Sequence, residues 1–506
     1  MSRSLFEKKP LHVLLEEMKG ESRLRRILGP VQLTSLGVGA IIGTGIFVLT
    51  GVAAHNKTGP ALMLSFVVSG LACIFAALCY AEFASMVPVA GSAYTYAYAT
   101  LGELMAWIVG WDLVLEYAVA SATVAHGWSH YFQDFIGIFG YKIPFAFTNA
   151  PIDYDMTVGK IIPTGTSFDL PALAIAVLIT LVLIKGIRES ATFNAAMVGV
   201  KVAIVFFVIV VGAMYVDPRN WTPFAPFGFG GLTFFGKTIW GQTDAGGQPL
   251  GMMAGAATIF FAYIGFDSIS THSEEARNPK RDVPIGIITS LLLCTVLYIA
   301  VSMVLTGMVP YDKISIDAPV SNAFAQAGLP WAQLLISLGA LTGITSVLLV
   351  MMLSQPRILL AMARDGLLPQ SFFGAVHEKF RTPWKSTILT GVFVSTLASF
   401  LPLTILADLV NIGTLFAFVI VCSAVLIMRK TNPDAERPFR APLGAFVPIA
   451  GIAICLLLMF SLPAENWLRL VIWLAIGLAI YFGYGRSHSV MAQMPVKAKI
   501  GGKRSR

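Results

Sequence analysis

Three ionisable side chains stand in stretches that are otherwise almost wholly apolar. Lys201 lies in Asn194-Ala-Ala-Met-Val-Gly-Val-Lys201-Val-Ala-Ile, Asp267 closes Phe260-Phe261-Ala262-Tyr263-Ile264-Gly265-Phe266-Asp267, and Glu116 ends Trp111-Asp112-Leu113-Val114-Leu115-Glu116. A charge at the centre of a bilayer costs about 2.5 to 3.5 kcal/mol on insertion scales, so such groups usually face a cavity or a partner and are functional candidates. A lysine at that depth needs a partner or must give up its proton, which makes Lys201 the first candidate for proton exchange. Glu116 could pair with it. Asp112 is four residues earlier on a neighbouring face, and one of these two carboxylates is expected to reach the interface. The plain alternative for Lys201 and Asp267 is a structural charge or a buried pair. Glu82, in Tyr80-Ala81-Glu82-Phe83, is read as half of an ion pair at an inner gate.

Two glycine-bearing interruptions are the next signal. Ile41-Ile42-Gly43-Thr44-Gly45-Ile46-Phe47 sits at the middle of the first apolar stretch, with Gly37, Gly39 and Gly51 around it, and Gly265 stands two residues before Asp267. Glycine at this density invites unwinding, although small residues also let membrane helices approach closely. Unwound backbone at membrane depth is tolerated only where it lines a cavity or is buried in protein. There it offers N–H groups and a positive helix end to a carboxylate, and freed carbonyls to an ammonium. A zwitterion asks for both.

The elements that must position these residues are membrane helices. The 506 residues are 56% hydrophobic and 12% charged, with a mean hydropathy of +0.76, outside the range of ordinary soluble domains. A span needs roughly 20 mostly apolar residues. Such windows fall near 31–54, 61–87, 103–131, 170–184, 190–216 and 249–271, then near 283–308, 331–356, 385–402, 405–428, 443–461 and 467–484. The expectation is an all-α polytopic membrane protein of twelve transmembrane helices. The two interruptions fall in spans one and six, corresponding positions if the first ten form two halves of five, which is the pointer to a transport site. The charged, amphipathic stretch to Arg26 and the long first apolar segment do not read as a cleavable signal. With both termini cytoplasmic, Lys57, Lys142, Lys160, Arg219, Lys237, Lys313 and Arg469 fall outside and most of the 35 Lys and Arg inside, as the positive-inside rule requires.

Several motifs are set aside. The five cysteines lie in predicted spans without CxxC spacing, and His126 with His130, one helical turn apart, reads as interfacial. No metal and no other cofactor is expected. Gly231-Leu-Thr-Phe-Phe-Gly236-Lys237-Thr238 matches GxxxxGK[ST], but that chemistry needs a strand before the loop and a helix after it, whereas this segment joins two spans. Nucleotide and nucleic acid are therefore not expected partners. The sequons at Asn56 and Asn220 face outward on this reading.

Gly43-Thr44-Gly45-Ile46-Phe47 resembles the signature of the amino acid, polyamine and organocation transporter superfamily. Gly91-Ser92-Ala93-Tyr94-Thr95-Tyr96, Glu275-Ala-Arg277-Asn278-Pro279-Lys280-Arg281-Asp-Val-Pro284 and Met362-Ala-Arg364-Asp365-Gly366-Leu-Leu-Pro369 are similar to its cationic amino acid transporter branch. The resemblance covers about residues 28–485. It implies a LeuT-like five-plus-five inverted-repeat core with discontinuous helices one and six, plus two peripheral helices. The divisions would be a cytoplasmic segment 1–30, a first repeat 31–216, an extracellular loop 217–248, a second repeat 249–428, the peripheral pair 429–485 and a basic cytoplasmic tail 486–506, with Lys497 to Arg506 placed against anionic lipid.

By the same resemblance, a substrate carboxylate would meet Gly43, Thr44 and Gly45, and its ammonium carbonyls near Ile41, Phe261 and Ile264. Phe261 would cover the substrate from outside, Asp267 would be a sensing acid, and Met351 and Met352 would wall the side-chain pocket. Met there would shorten the pocket and point to small neutral substrates rather than arginine. A fifth-span lysine would replace the ion of sodium-driven relatives, so Lys201, with Glu116 and Asp267, is assigned proton coupling. The sequence departs from the branch at Pro356, where a kink or helix end is expected, and by a Gly-rich insertion around 231–250. The function implied is secondary active, proton-coupled transport of L-amino acids, small neutral or cationic, across the cell membrane. Exchange, uniport and a non-transporting amino acid sensor are the alternatives, and a small membrane partner subunit is left open. A channel would need charge rings or a carbonyl filter, and an enzyme a nucleophile and base or a metal set in one cavity; neither pattern is present.

Overall fold

The computed structural model describes residues 5–9, 28–86, 92–155, 160–185, 191–234, 237–380 and 382–493. The basic tail from Lys497 onward, most of the N-terminal segment and Gly91 of the third-span motif lie outside them. The described chain is mostly helical, because in a bilayer every backbone polar group must be satisfied within its own segment.

Helix α1 spans Pro30–Ile41 and stops. The chain resumes at Thr44 and runs on through a wide turn Gly45–Leu49, a helical turn Thr50–Ala53 and a second wide turn Ala54–Thr58. Then come α2 (Leu62–Met86), a short helix Ser92–Thr100, α3 (Glu103–Ile138), α4 (Leu170–Lys185) and α5 (Ala191–Ala213). Helix α6 (Met252–Ile259) tightens into a turn Phe260–Tyr263, breaks, and restarts at Ser268–Thr271. Next are α7 (Pro279–Met308), a short helix Pro319–Gln326, α8 (Pro330–Arg364), α9 (Trp384–Phe400), α10 (Leu403–Thr431), α11 (Phe446–Met459) and α12 (Ala464–Ile480). Seven helical stretches among the described residues are long and apolar enough to cross a membrane, and four further apolar helices are shorter.

Two spans differ from expectation. Helix α3 continues seven residues beyond the expected end, to Ile138, and α8 remains helical through Pro356 to Arg364. A proline inside a helix removes one N–H and crowds the preceding turn; Pro356 is buried, and the helix does not end there. The packing order is regular: the most extensive helix contacts are α3 with α8 and α2 with α7, and α4 packs on α9.

The first and last described segments meet on one face. Leu28 pairs with Ala276 after the α6 break, Lys9 bridges Asp365 at 2.9 Å, and the Val490 N–H donates to the Asp365 carbonyl. On this face Glu82 of α2 is clasped by Arg429, with Nε–Oε1 at 3.0 Å, and by the Ala441 N–H, while Arg437 stands 3.6 Å away. The ion pair expected for Glu82 is present, and its partners are the end of α10 and the chain leading to α11.

The opposite face is capped by three two-stranded antiparallel pieces. One is β1 (Ile152–Asp155) with β2 (Lys160–Pro163) and another β3 (Leu232–Phe234) with β4 (Lys237–Trp240), followed by β5 (Gln242–Thr243) with β6 (Pro249–Leu250). The GxxxxGK[ST] match falls on the β3–β4 hairpin, where Lys237 is an exposed strand residue, so it is not a phosphate cradle. All five cysteines are buried and free. His126, read as interfacial, is instead buried: its Nδ1 lies 3.2 Å from the Ala398 carbonyl and 3.3 Å from Asp169 Oδ2. Asp169, just before α4, and the end of α9 cover it there.

Candidate functional site

The two helix breaks meet. At the first, Ile42 takes an extended conformation (φ −74°, ψ 103°); at the second, Ile264 does the same (φ −60°, ψ 136°) and Gly265 turns to φ +115°. Glycine is needed twice for contact. A Cβ on Gly45 would fall 2.3 Å from Ala262 Cα, and one on Gly265 would fall 2.8 Å from the Ala40 carbonyl oxygen. The interruptions that looked like weak points in the sequence are thus where the two broken elements cross backbone to backbone.

Between them lies a narrow space of about 10 Å³, roughly what one water molecule needs. Ile41, Gly43, Thr44, Gly45, Phe261, Ile264 and Met351 all line it, and Ala40, Val124 and Val347 complete the wall. Met352 does not line it. It is buried elsewhere, because one step along a helix turns the side chain by about a quarter of a circle. Val347, one turn before Met351 on α8, could have been found by that periodicity; Val124 on α3 carries no sequence signal. The wall holds apolar side chains, one hydroxyl and backbone, and none of its lining residues is charged. The Thr44 hydroxyl donates to the Val124 carbonyl at 3.4 Å, and the N–H groups that open the resumed helix after the break are of the kind a helix start leaves without an internal partner.

Some expected acceptors are already engaged. The Tyr298 hydroxyl of α7 lies 2.9 Å from the carbonyls of both Ile41 and Ala262, so its single proton joins the two breaks. The Phe261 carbonyl accepts the Ile264 N–H at 3.1 Å. Each carbonyl has two lone pairs, so an ammonium would share Ile41 with Tyr298. Asn411 of α10 donates to the Ala257 and Thr258 carbonyls at 2.8 and 3.0 Å, holding the last turns of α6 before its break. Tyr298 and Asn411 were not singled out from sequence, although a phenol or an amide inside an apolar span implies a partner.

The ionisable residues divide into two places. Lys201 is fully buried, and its Nζ donates to the Gly39 carbonyl at 2.6 Å and the Ile42 carbonyl at 3.2 Å. Its stem lies against α8, where a Cβ on Gly343 would come 3.3 Å from Lys201 Cγ. Lys201 thus stands between the first break and α8. Glu116 does not pair with it. Glu116 lies instead within electrostatic reach of Asp267 and Asp112, and Asp267 accepts the Tyr117 hydroxyl at 2.7 Å. Neither Glu116 nor Asp112 reaches the interface: both are buried, and both Asp112 oxygens and Glu116 Oε1 have no hydrogen-bond partner among the described residues. Helix α10 covers them, with Gly413 against Asp112. Among the described residues no His, Cys, Asp and Glu cluster could hold a metal ion.

Residues 28–482 match the family model described as amino acid permease. The chain belongs to the amino acid permease family. This permease is 47% identical over 488 residues to the methylthioribose transporter of Bacillus subtilis, covering 96% of the chain and 99% of that protein. It is 47% identical over 494 residues to the branched-chain amino acid permease BcaP of the same organism, covering 97% of the chain and all of that protein. It is 39% identical over 422 residues to the vacuolar cationic amino acid transporter 4 of Arabidopsis thaliana, covering 82% of the chain and 65% of that protein. The permease is thus an integral membrane transporter and not an enzyme, as the resemblance implied.

Proposed function

We propose that this permease carries neutral, aliphatic L-amino acids across the cell membrane by proton-coupled symport with alternating access. The observation that carries the reading is the space at the crossed breaks. Its ends offer backbone polar groups for a carboxylate and an ammonium, its side-chain wall is Val124, Phe261, Ile264, Val347 and Met351, and none of its lining residues is charged. A cationic side chain would be desolvated there without a counter-charge, which is costly. The family membership and the branched-chain permease among the relatives support the same class.

The architecture proposed is a twelve-helix chain with an inverted-repeat core. Packing of α2 on α7, α3 on α8 and α4 on α9 supports it, since each pair joins helices five apart. The first and last described segments share one face with Arg277, Lys280, Arg281, Arg364, Arg429 and Arg437, and this basic face is assigned to the cytoplasm. Coupling is assigned to Lys201. Protonated, it makes charge-assisted bonds to Gly39 and Ile42, which are about twice as strong as those of a neutral donor, so proton loss loosens the first break. Asp267 and Glu116 form the acidic counterpart at the second.

A second reading comes from the methylthioribose transporter among the relatives: a neutral solute bearing neither carboxylate nor ammonium. Uptake of labelled leucine, alanine, arginine and methylthioribose into liposomes containing the purified protein separates the two, with and without an inward proton gradient and without sodium. Leucine or alanine uptake driven by the gradient sustains the proposal. Uptake of arginine alone or of methylthioribose alone overturns the substrate class; uptake only after preloading with amino acid makes the protein an exchanger.

A further inference from the structure

On the face where the first and last described segments meet, a groove of about 450 Å³ opens between the first three turns of α7 and the chain joining α10 to α11. Its mouth is Lys280 and Arg281, and its walls are Pro284, Ile285 and Ile288 on one side and Pro438 and Phe439 on the other. The two cations are not equivalent. Lys280 Nζ stands 3.1 and 3.2 Å from the two Glu436 oxygens, so its charge is answered. The Arg281 guanidinium is exposed and makes no ion pair or side-chain hydrogen bond with any described residue. Beyond the groove, α7 exposes Ile285, Leu292 and Val296, the last at 66%. These fall on one helical stripe, which leads away from the mouth into the span.

We propose that this groove binds an anionic phospholipid, its phosphate on Arg281 and one acyl chain along the Ile285–Ile288–Leu292–Val296 stripe of α7. The groove is polar at one end and apolar along its length, which is the pattern of an amphiphile. A guanidinium presents a planar fork of donors that matches phosphate oxygens, and basic groups at the start of a span attract anionic lipid. Free phosphate would satisfy Arg281 but leave the Ile285, Ile288 and Phe439 walls unfilled. A zwitterionic lipid would fill the walls but bring its own cation beside Arg281. Glu436 holds Lys280 to one side, so the anion site is a single residue wide.

The test uses the full chain, purified in detergent and stripped of lipid, with phosphatidylglycerol or phosphatidylcholine added back and bound lipid counted by native mass spectrometry. The wild type is expected to retain phosphatidylglycerol over phosphatidylcholine by about fivefold, the effect of one basic group at an anionic surface. Arg281→Gln is expected to abolish the preference while retaining the wild-type unfolding temperature in lipid-free detergent, and Ile288→Trp, which fills the groove, to lower retention of both lipids. Equal retention of the two lipids by the wild type, or an undiminished preference in Arg281→Gln, overturns the proposal. So does full protection of Arg281 from phenylglyoxal by inorganic phosphate alone, which would make the site one for a free anion.

Discussion

The two helix breaks are built alike in backbone and oppositely in charge. At the first, carbonyls left over by the end of α1 are met by a cation, with Lys201 Nζ on Gly39 and Ile42. At the second, the restarting turn Ser268–Thr271 is met by a carboxylate, with Asp267 at its start and tied to Tyr117. Each charge sits at the helix end whose partial charge it complements. The surroundings differ more than the sign does. Lys201 has no carboxylate within ion-pair distance among the described residues, whereas Asp267 lies within electrostatic reach of Glu116, which in turn lies near Asp112. A lone cation held only by carbonyls loses its charge-assisted bonds with its proton, whereas Asp267 keeps the Tyr117 hydroxyl as a partner.

That contrast is broken most directly at Lys201. Lys201→Met should cut gradient-driven uptake by roughly tenfold or more, since a charge-assisted hydrogen bond is worth about 1.5 to 3 kcal/mol, while exchange of preloaded amino acid persists. Full gradient-driven uptake in this variant would move coupling to the acidic side. Asp267→Asn keeps an acceptor for Tyr117 and removes the charge, so the same assay should show a smaller, few-fold loss; a complete loss would reverse the ranking of the two breaks.

Finer tests concern the wall and the link between the breaks. Met351→Ser should widen the substrate range toward larger amino acids in competition assays, and Met352→Ser should leave it unchanged; widening by Met352→Ser alone would place the wall on the other face of α8. Tyr298→Phe leaves two buried carbonyls without the hydroxyl they share, at about 1 to 3 kcal/mol. Its unfolding temperature should fall by a few degrees with substrate selection intact. An unchanged unfolding temperature would mean that water takes the place of the hydroxyl.

Much of this was legible in the chain. Long apolar windows marked the helices, glycine beside Thr44 and Asp267 marked both breaks, and the depth of Lys201 marked a buried amine. The expectations that failed were those depending on which face of a helix meets a neighbour. Met352 looked as good a wall residue as Met351 until α8 showed only one of them to the space. His126, and one of Asp112 and Glu116, were expected at the interface because a window average records apolarity but not what lies across from it. Pro356 was read as a kink or an end, and the end did not occur, because local rules weigh one lost N–H and not the rest of the helix.

Composition and pattern by themselves therefore determined that the protein lies in a membrane, where its helices begin and where two of them cannot continue. Those are consequences of what the chain can satisfy within one segment when no water is present. Only the tertiary structure decided that the breaks face each other across Gly45 and Ala262, that Tyr298 bridges them, and that Lys201 and Glu116 belong to different places. Such contacts join residues up to a few hundred positions apart, and their geometry is set by how whole helices pack, which no single stretch of sequence contains.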